Sequence, residues 1–329
     1  MSVIDRHLVE RVAGALATDE GLVEKDWQVV RAIGVLASLD QGDVTAVFSG
    51  GTSLLKGWGL IKRFSEDIDF KVAMPTVQSD TASRKQRRAY RVRVLSALAS
   101  NGFSQVGDPL IGNESRFFSA SLAYQSLFTP GRGLRPHIRV EMSFHAPARV
   151  PIRRPIQSLI ALAQKQLPEV PSFPCVDPLE TAADKLSTLA WRVCSRERGG
   201  AYDDPTIIRH LHDLAALEGY LKGLLGFSEL VLKTAADDTG RGGATVPKGH
   251  SERFATMLNI LDGDKRWASE YESFVLQVSF AKPGETISFA EALAATRRLV
   301  KTAGASADEN AKYDEMELAK QSMPNDDRA

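Results

Sequence analysis

Two aspartates one residue apart, Asp67 and Asp69, stand inside the largely apolar run DIDFKVA, and a glycine pair, Gly50-Gly51, precedes them across residues 52–66. The alternation makes this run a strand with Asp67, Asp69 and Lys71 on one face and Ile68, Phe70 and Val72 on the other. Two like charges a few ångströms apart repel, and a divalent cation between them relieves the repulsion. Hard carboxylate oxygens with open positions suit Mg²⁺, which takes a few carboxylates and completes its shell with substrate phosphates. Just upstream, VTAVFS (44–49) reads as a strand entering the Gly-Gly turn, and TSLLKGWGLI as a helix capped by Thr52 or Ser53. Such a junction turns unblocked backbone N–H groups toward a phosphate. The segment therefore predicts a site for a metal-bound nucleoside triphosphate. It is not a Walker A loop, because Lys56-Gly57 stands in the wrong order, and kinase signatures are absent.

The rest of the chain predicts an α+β half followed by a helical half. Residues 5–38 read as two helices, 81–100 as a basic helix closed by Asn101-Gly102, and RFFSASLAY, HIRVEMSF and ARVPIR as strands of a mixed or antiparallel sheet. After Pro155, helical spacing appears near 156–167, 178–196, 204–219, 226–237, 250–261 and 286–303. The expected division is 1–155, 156–303 and an acidic tail, 304–329.

At 43% hydrophobic and 25% charged residues, the chain has the composition of a globular protein rather than a disordered one. No apolar run reaches the roughly 20 residues of a membrane span, and MSVIDRHLVERVAG carries charges where a signal peptide needs an apolar core. The expectation is a cytoplasmic protein with no membrane partner. Cys175 and Cys194 show no metal-ligand spacing, and His210 and His212, two apart, do not share a helix face, so zinc is not expected. The net charge is zero but unevenly distributed. RKQRRAYRVR (84–93) carries basic residues and no acid, and Arg132 to Arg154 contains a single acid, Glu141. These arms make local positive surface suited to a polyanion. Arg84, Lys85, Arg87, Arg88, Arg132 and Arg135 are the candidate RNA contacts.

Gly-Gly followed by Asp-x-Asp resembles the nucleotidyltransferase superfamily of the DNA polymerase β type. With "SGGTSLLK…RFSEDIDF", "ETAADKLSTLAWR" and "RHLHDL" in that order over about 45–215, the chain resembles the AbiEii-type nucleotidyltransferase toxins of AbiE toxin–antitoxin modules. The resemblance implies a polymerase β-like mixed sheet with helices, followed by a helical domain that completes a cleft. It places Gly50, Gly51 and Ser53, with Thr52 between them, in the phosphate-cradling motif, and Asp67 and Asp69 on the metal pair. Lys185 falls on the lysine of the third motif and Asp213 on the aspartate of the fourth. Arg192, two helical turns beyond Lys185 on the same face, would extend a cationic ridge along the triphosphate. A third carboxylate is common in the superfamily, and Glu141, on the polar face of HIRVEMSF, is its candidate as metal ligand or base.

The function so implied is an Mg²⁺-dependent (or Mn²⁺-dependent) transfer of a nucleoside monophosphate from an NTP to RNA. The tRNA 3′ end is the foremost acceptor, and a cognate antitoxin protein silences the toxin. Two alternatives stay open on the residues alone: the same chemistry on a protein or small-molecule acceptor, and a non-catalytic nucleotide- or RNA-binding module. Local pairings offer ordinary explanations for single residues, such as Lys185 with Glu180 or Asp184, Asp213 with Arg209, and Glu141 with Arg139 and Arg132.

Overall fold

In a computed structural model of the chain, residues 4–304 are described apart from 78, 130, 132–133, 202, 239–245 and 283. Arg132 and residues 305–329 of the acidic tail thus lie outside the described residues. The alternating segments read from the sequence are strands, β1 (Thr45–Ser49), β2 (Asp67–Ala73), β4 (Phe117–Ala123) and β5 (Ile138–Ser143), whereas ARVPIR enters a strand only at its last two residues, the start of β6 (Ile152–Ile156). Two more strands, β3 (Ser104–Gly112) and β7 (Val170–Cys175), complete a mixed sheet of seven among the described residues, in the order β3-β4-β5-β2-β1-β7-β6.

The two extra strands carry the residues that ordinarily end strands. β3 contains Gly107 and Pro109 and is tolerated because it is an edge strand with a register shift between Val106 and Leu110. β7 contains Pro171 and Pro174; it pairs with β6 along its length, but meets β1 in register only at Phe48 and Cys175. Backbone N–H groups that have no ladder partner to serve leave room for proline. As a consequence the helix expected over 156–167 is short, α5 (Leu159–Ala163), because the chain must return as β7.

The chain forms two compact units, Met1–Thr181 with Val275–Thr286, and Ala182–Phe274 with the segment from Ile287 onward. In the first, α1 (Arg6–Leu16) leads into α2 (Glu20–Ser38), and α2 and α4 (Asp80–Ser100) bring Val29, Ile33, Leu36, Tyr90, Val94 and Leu98 against Phe48, Ile68, Phe70, Phe118, Val140 and Met142 of the sheet. Each fully buried aromatic or aliphatic side chain there contributes about 1.5–3 kcal/mol of transfer free energy. Asp19 and Ser79 cap these helices, accepting from the N–H groups of Leu22 and Ala82. The returning segment pairs Ser279 with Arg63 across an antiparallel bridge, and the Phe64 N–H donates to the Val278 carbonyl at 2.7 Å.

The second unit is helical. Most of α6 (Pro178–Ser195), then α7 (Arg209–Leu221), α8 (Phe227–Asp237), α9 (His250–Gly263), most of α10 (Arg266–Val278) and a last helix over 289–304 build it. Leu186, Leu189, Leu211, Leu214, Val231, Met257, Trp267 and Tyr271 are buried in it. α10 is a helix the sequence reading did not contain. Cys175 and Cys194 are free thiols, and burial pushes each up to about 11, away from nucleophilic use. Among the described residues no helix is long and apolar enough to cross a membrane.

Candidate active site

Strand register assembles the carboxylates. β5 runs parallel to β2, with Glu141 opposite Asp69 and Arg139 opposite Asp67; on β4, Ser119 stands opposite Glu141 and Ser121 opposite Arg139. Register partners project from the same side of a sheet. Asp69, Glu141 and Ser119 therefore form one polar row, and Asp67, Arg139 and Ser121 the next, all half-buried, while the intervening residues fill the core beneath. The Ser119 hydroxyl donates to Glu141 Oε1 at 3.1 Å, and an Arg139 nitrogen lies 3.6 Å from the same oxygen.

On the other side of β2, Ser49 of β1 is the register partner of Asp69, so the chain leaves β1 beside that carboxylate and turns at once into α3 (Gly50–Lys56). Gly50 has φ +73°, and a Cβ there would stand 2.0 Å from Asp69 Oδ2. Both the left-handed backbone and the missing space require glycine. At Gly51 a Cβ would come within 2.9 Å of Arg63 Nη2 and Ser65 Oγ. The helix thus begins at the glycines, with Ser49 in the cap position and no side-chain cap bond, rather than being capped by Thr52 or Ser53. Thr52 and Ser53 are buried. The Thr52 hydroxyl donates to the Asp67 carbonyl and lies 3.0 Å from Ser65 Oγ, which ties the start of α3 to the start of β2.

Asp67 has a partner that sequence reasoning assigned elsewhere. Arg135 donates to Asp67 Oδ1 at 2.7 Å and, through Nε, to Glu66 Oε1 at 2.6 Å. Lys25, buried on α2, also reaches Glu66 and donates to the Arg135 carbonyl at 2.6 Å. Burial works against ionising Glu66, but Lys25 and Arg135 together hold its carboxyl below the usual range. Arg135 is therefore bound to the carboxylate row, and neither Glu66 nor Lys25 was among the expected site residues. The available signal was weak: a lysine on the apolar face of a helix, and an acid directly before Asp-x-Asp.

Lys71, third on the polar face of β2, is buried and 2.7 Å from Glu180 Oε1. Glu180 also accepts from the N–H groups of Ala148 and Arg149, each at 2.9 Å. It thereby locks the start of α6 to the sheet.

In the second unit Lys185 Nζ lies 2.8 Å from Asp213 Oδ2, and the carboxylate is fully buried. His212 Nδ1 is 3.5 Å from the other oxygen, and burial, with the Asp213 charge adding to it, pushes the Tyr271 phenol up. The third and fourth motifs thus meet as an ion pair. Arg209 instead sits 3.6 Å from Asp204. Arg192, further along α6, is exposed beside the Trp191 ring, 5.6 Å from its centroid.

The basic helix α4 divides by face. Arg84, Lys85 and Arg88 are exposed, with Arg84 3.8 Å from Glu114. Arg87 is buried and points at the Glu114 carbonyl, and Arg91 lies over the rings of Phe118 and Phe144.

A family model described as "Nucleotidyl transferase AbiEii toxin, Type IV TA system" matches residues 34–295. The chain belongs to the AbiEii nucleotidyltransferase toxin family. A search of curated proteins found no match. Among solved structures the AbiEii chain is similar to MenT4, a nucleotidyltransferase toxin from Mycobacterium tuberculosis H37Rv, at 19% identity and a TM-score of 0.51, over 92% of this chain and 99% of that one. That likeness supports the fold. Membership makes this AbiEii protein a nucleotidyltransferase whose substrate is a nucleotide and whose partner is an antitoxin.

Nucleotidyltransferases of this kind use a divalent metal. Among the described residues no three His, Cys, Asp or Glu side chains gather closely enough to hold a metal by themselves. The donor set nevertheless fits a hard cation that takes one or two carboxylates and draws its remaining ligands from substrate phosphates and water. Asp67 and Asp69 supply hard oxygens, Glu141 stands in register beside Asp69, and the absence of a side chain at Gly50 lets the Asp69 carboxylate keep its place.

Proposed function

We propose that this AbiEii protein transfers a nucleoside monophosphate from an NTP to an RNA acceptor, the tRNA 3′ end foremost, with Mg²⁺, or Mn²⁺ in its place, in the cytoplasm. The observation that carries the reading is the row of Asp69 and Glu141 beside Asp67, with Asp69 lying against Gly50. In this reading Asp67 and Asp69 would hold the metal, with Glu141 as the third carboxylate, and a metal held there would supply Lewis acidity that stabilises charge on the reacting phosphate. The backbone of Gly50 and Gly51 approaches the triphosphate. The acceptor hydroxyl attacks the α-phosphorus, the bond to the β-phosphate breaks, pyrophosphate leaves, and the hydroxyl proton passes to a carboxylate of the row, Glu141 being the candidate. Lys185 offers positive charge to the developing pyrophosphate, and Asp213 holds that lysine in place.

The exposed basic face of α4, with Arg84, Lys85 and Arg88, supports an RNA acceptor held by its phosphates without base reading. The deciding experiment incubates the protein with each α-labelled NTP, Mg²⁺ and total tRNA, beside Asp69→Ala. Label in tRNA that disappears with the substitution is the expected result. Label in protein or small molecules instead would keep the chemistry and discard the acceptor.

A further inference from the structure

The end of α6 and the loop that follows it line an open cavity of about 360 Å³ within the second unit, with Trp191, Arg192, Arg196, Glu197, Asp204 and Ile207 among its walls. That volume falls in the roughly 300–1,000 Å³ range of small-ligand sites. Its two arginines differ in kind. Arg196 is fully engaged, donating to Asp203 at 2.7 Å and to both oxygens of Glu270 at 2.6 and 3.0 Å. Arg192 is exposed and flanks the Trp191 ring. The indole Nε1 of Trp191 is buried and has no hydrogen-bond partner among the described residues. A buried donor without an acceptor is costly, and a ligand that supplies one relieves the cost.

We propose that this cavity binds one nucleotide of the single-stranded acceptor RNA, with its base against Trp191 and its phosphate on Arg192. The charge of the lining decides against the NTP. Two arginines face two acids, Glu197 and Asp204, and Arg196 is already paired outside the cavity. Such a lining suits the single negative charge of a phosphodiester and leaves most of a triphosphate's charge unanswered. A ring beside a guanidinium stacks any base, and the Trp191 N–H, which points along the ring plane, is left to a ribose or phosphate oxygen at the ring edge. The exposed Glu197 carboxylate accepts from ribose hydroxyls, which distinguishes RNA from DNA, while Asp204 is held by Thr206 and Arg209. The inference rests on the RNA-acceptor reading above and adds where that acceptor is gripped.

The test uses the full chain carrying Asp69→Ala, so that no transfer occurs. Binding of a fluorescein-labelled single-stranded RNA is followed by anisotropy, and binding of each NTP with Mg²⁺ by calorimetry. Adding Trp191→Ala or Arg192→Gln is expected to weaken RNA binding about tenfold or more, and Trp191→Ala to leave NTP binding unchanged. Trp191→Phe, which keeps a stacking ring and loses only the N–H, should fall between the parent and Trp191→Ala and guards against a merely misfolded variant. RNA affinity equal in the parent and both variants would overturn the pocket while leaving the acceptor reading intact. Loss of NTP binding with RNA binding retained would assign the cavity to the triphosphate and overturn the proposal. A parent that binds no RNA would remove both readings together.

Discussion

The carboxylate of Asp69 lies against the α-carbon of Gly50, so closely that a methyl group there would stand 2.0 Å from Asp69 Oδ2. Strand pairing forces this contact, since Asp69 is in register with Ser49, the residue before the turn. Gly50→Ala must then both hold a non-glycine residue at φ +73° and displace Asp69. A loss of roughly 1–3 kcal/mol from the backbone conformation alone is expected, together with loss of nucleotidyl transfer. Gly51→Ala meets only the ends of the Arg63 and Ser65 side chains and should fold nearly normally. Chemical denaturation of the two variants, beside a transfer assay, checks the contrast; equal stability would refute it.

Arg135 occupies one oxygen of Asp67 and is itself anchored by Glu66. A cation approaching Asp67 is opposed by that guanidinium charge. Arg135→Met should therefore bind Mn²⁺ severalfold more tightly than the parent without nucleotide, as read by the electron paramagnetic resonance of free Mn²⁺. Arg139→Met removes an arginine whose ion pair is with Glu141 rather than Asp67 and should change the affinity less. The reverse order would show that Arg135 has no special hold on the site.

The Lys185–Asp213 pair is buried, with its carboxylate wholly inaccessible. Lys185→Met takes away the cation that faces Asp213, and breaking such a pair costs about 3–5 kcal/mol. Adding Asp213→Leu should restore much of that stability, because the stranded charge is gone, yet restore no transfer activity. Melting curves and the labelled-NTP assay on the single and double variants separate the two effects. Recovery of activity in the double variant would exclude Lys185 from the chemistry.

Asp264 sits between α9 and α10, where the backbone N–H and guanidinium of Arg266 both donate to it and Arg198 reaches it at 2.7 Å. Arg266 above all holds its carboxyl down from 3.8 to about 2. A depressed carboxyl contributes stability that is complete above its unfolded value and lost as the pH falls through the folded one. Stability should thus decline from about 3.8 toward 2 more steeply in the parent than in Asp264→Asn. Denaturant midpoints measured across that window test the slope; parallel curves would contradict it.

Much of this protein was legible in the sequence, because the signals are local. Alternation in DIDFKVA and HIRVEMSF depends only on neighbouring residues, so the polar faces bearing Asp67, Asp69 and Glu141 appear without knowledge of the fold. The basic character of α4 is equally plain, but which of its arginines face outward is not: Arg87 and Arg91 turn inward because the sheet lies there. Strands β3 and β7 escaped notice since their glycines and prolines are compatible with a strand only where a neighbouring strand is missing or bulged.

The sequence by itself determined which side chains share a strand or helix face, since that follows from backbone periodicity. Only the tertiary structure decided which faces meet. Glu141 stands beside Asp69 because β5 pairs in parallel with β2 at one register, and a shift of one residue would turn Glu141 into the core. Arg135 clasps Asp67 from 68 residues away, Lys71 finds Glu180 across 109, and Lys185 meets Asp213 on another helix. No local rule reaches that far. Such partners are chosen by which charges chain packing carries out of water together, where each must be answered by the other.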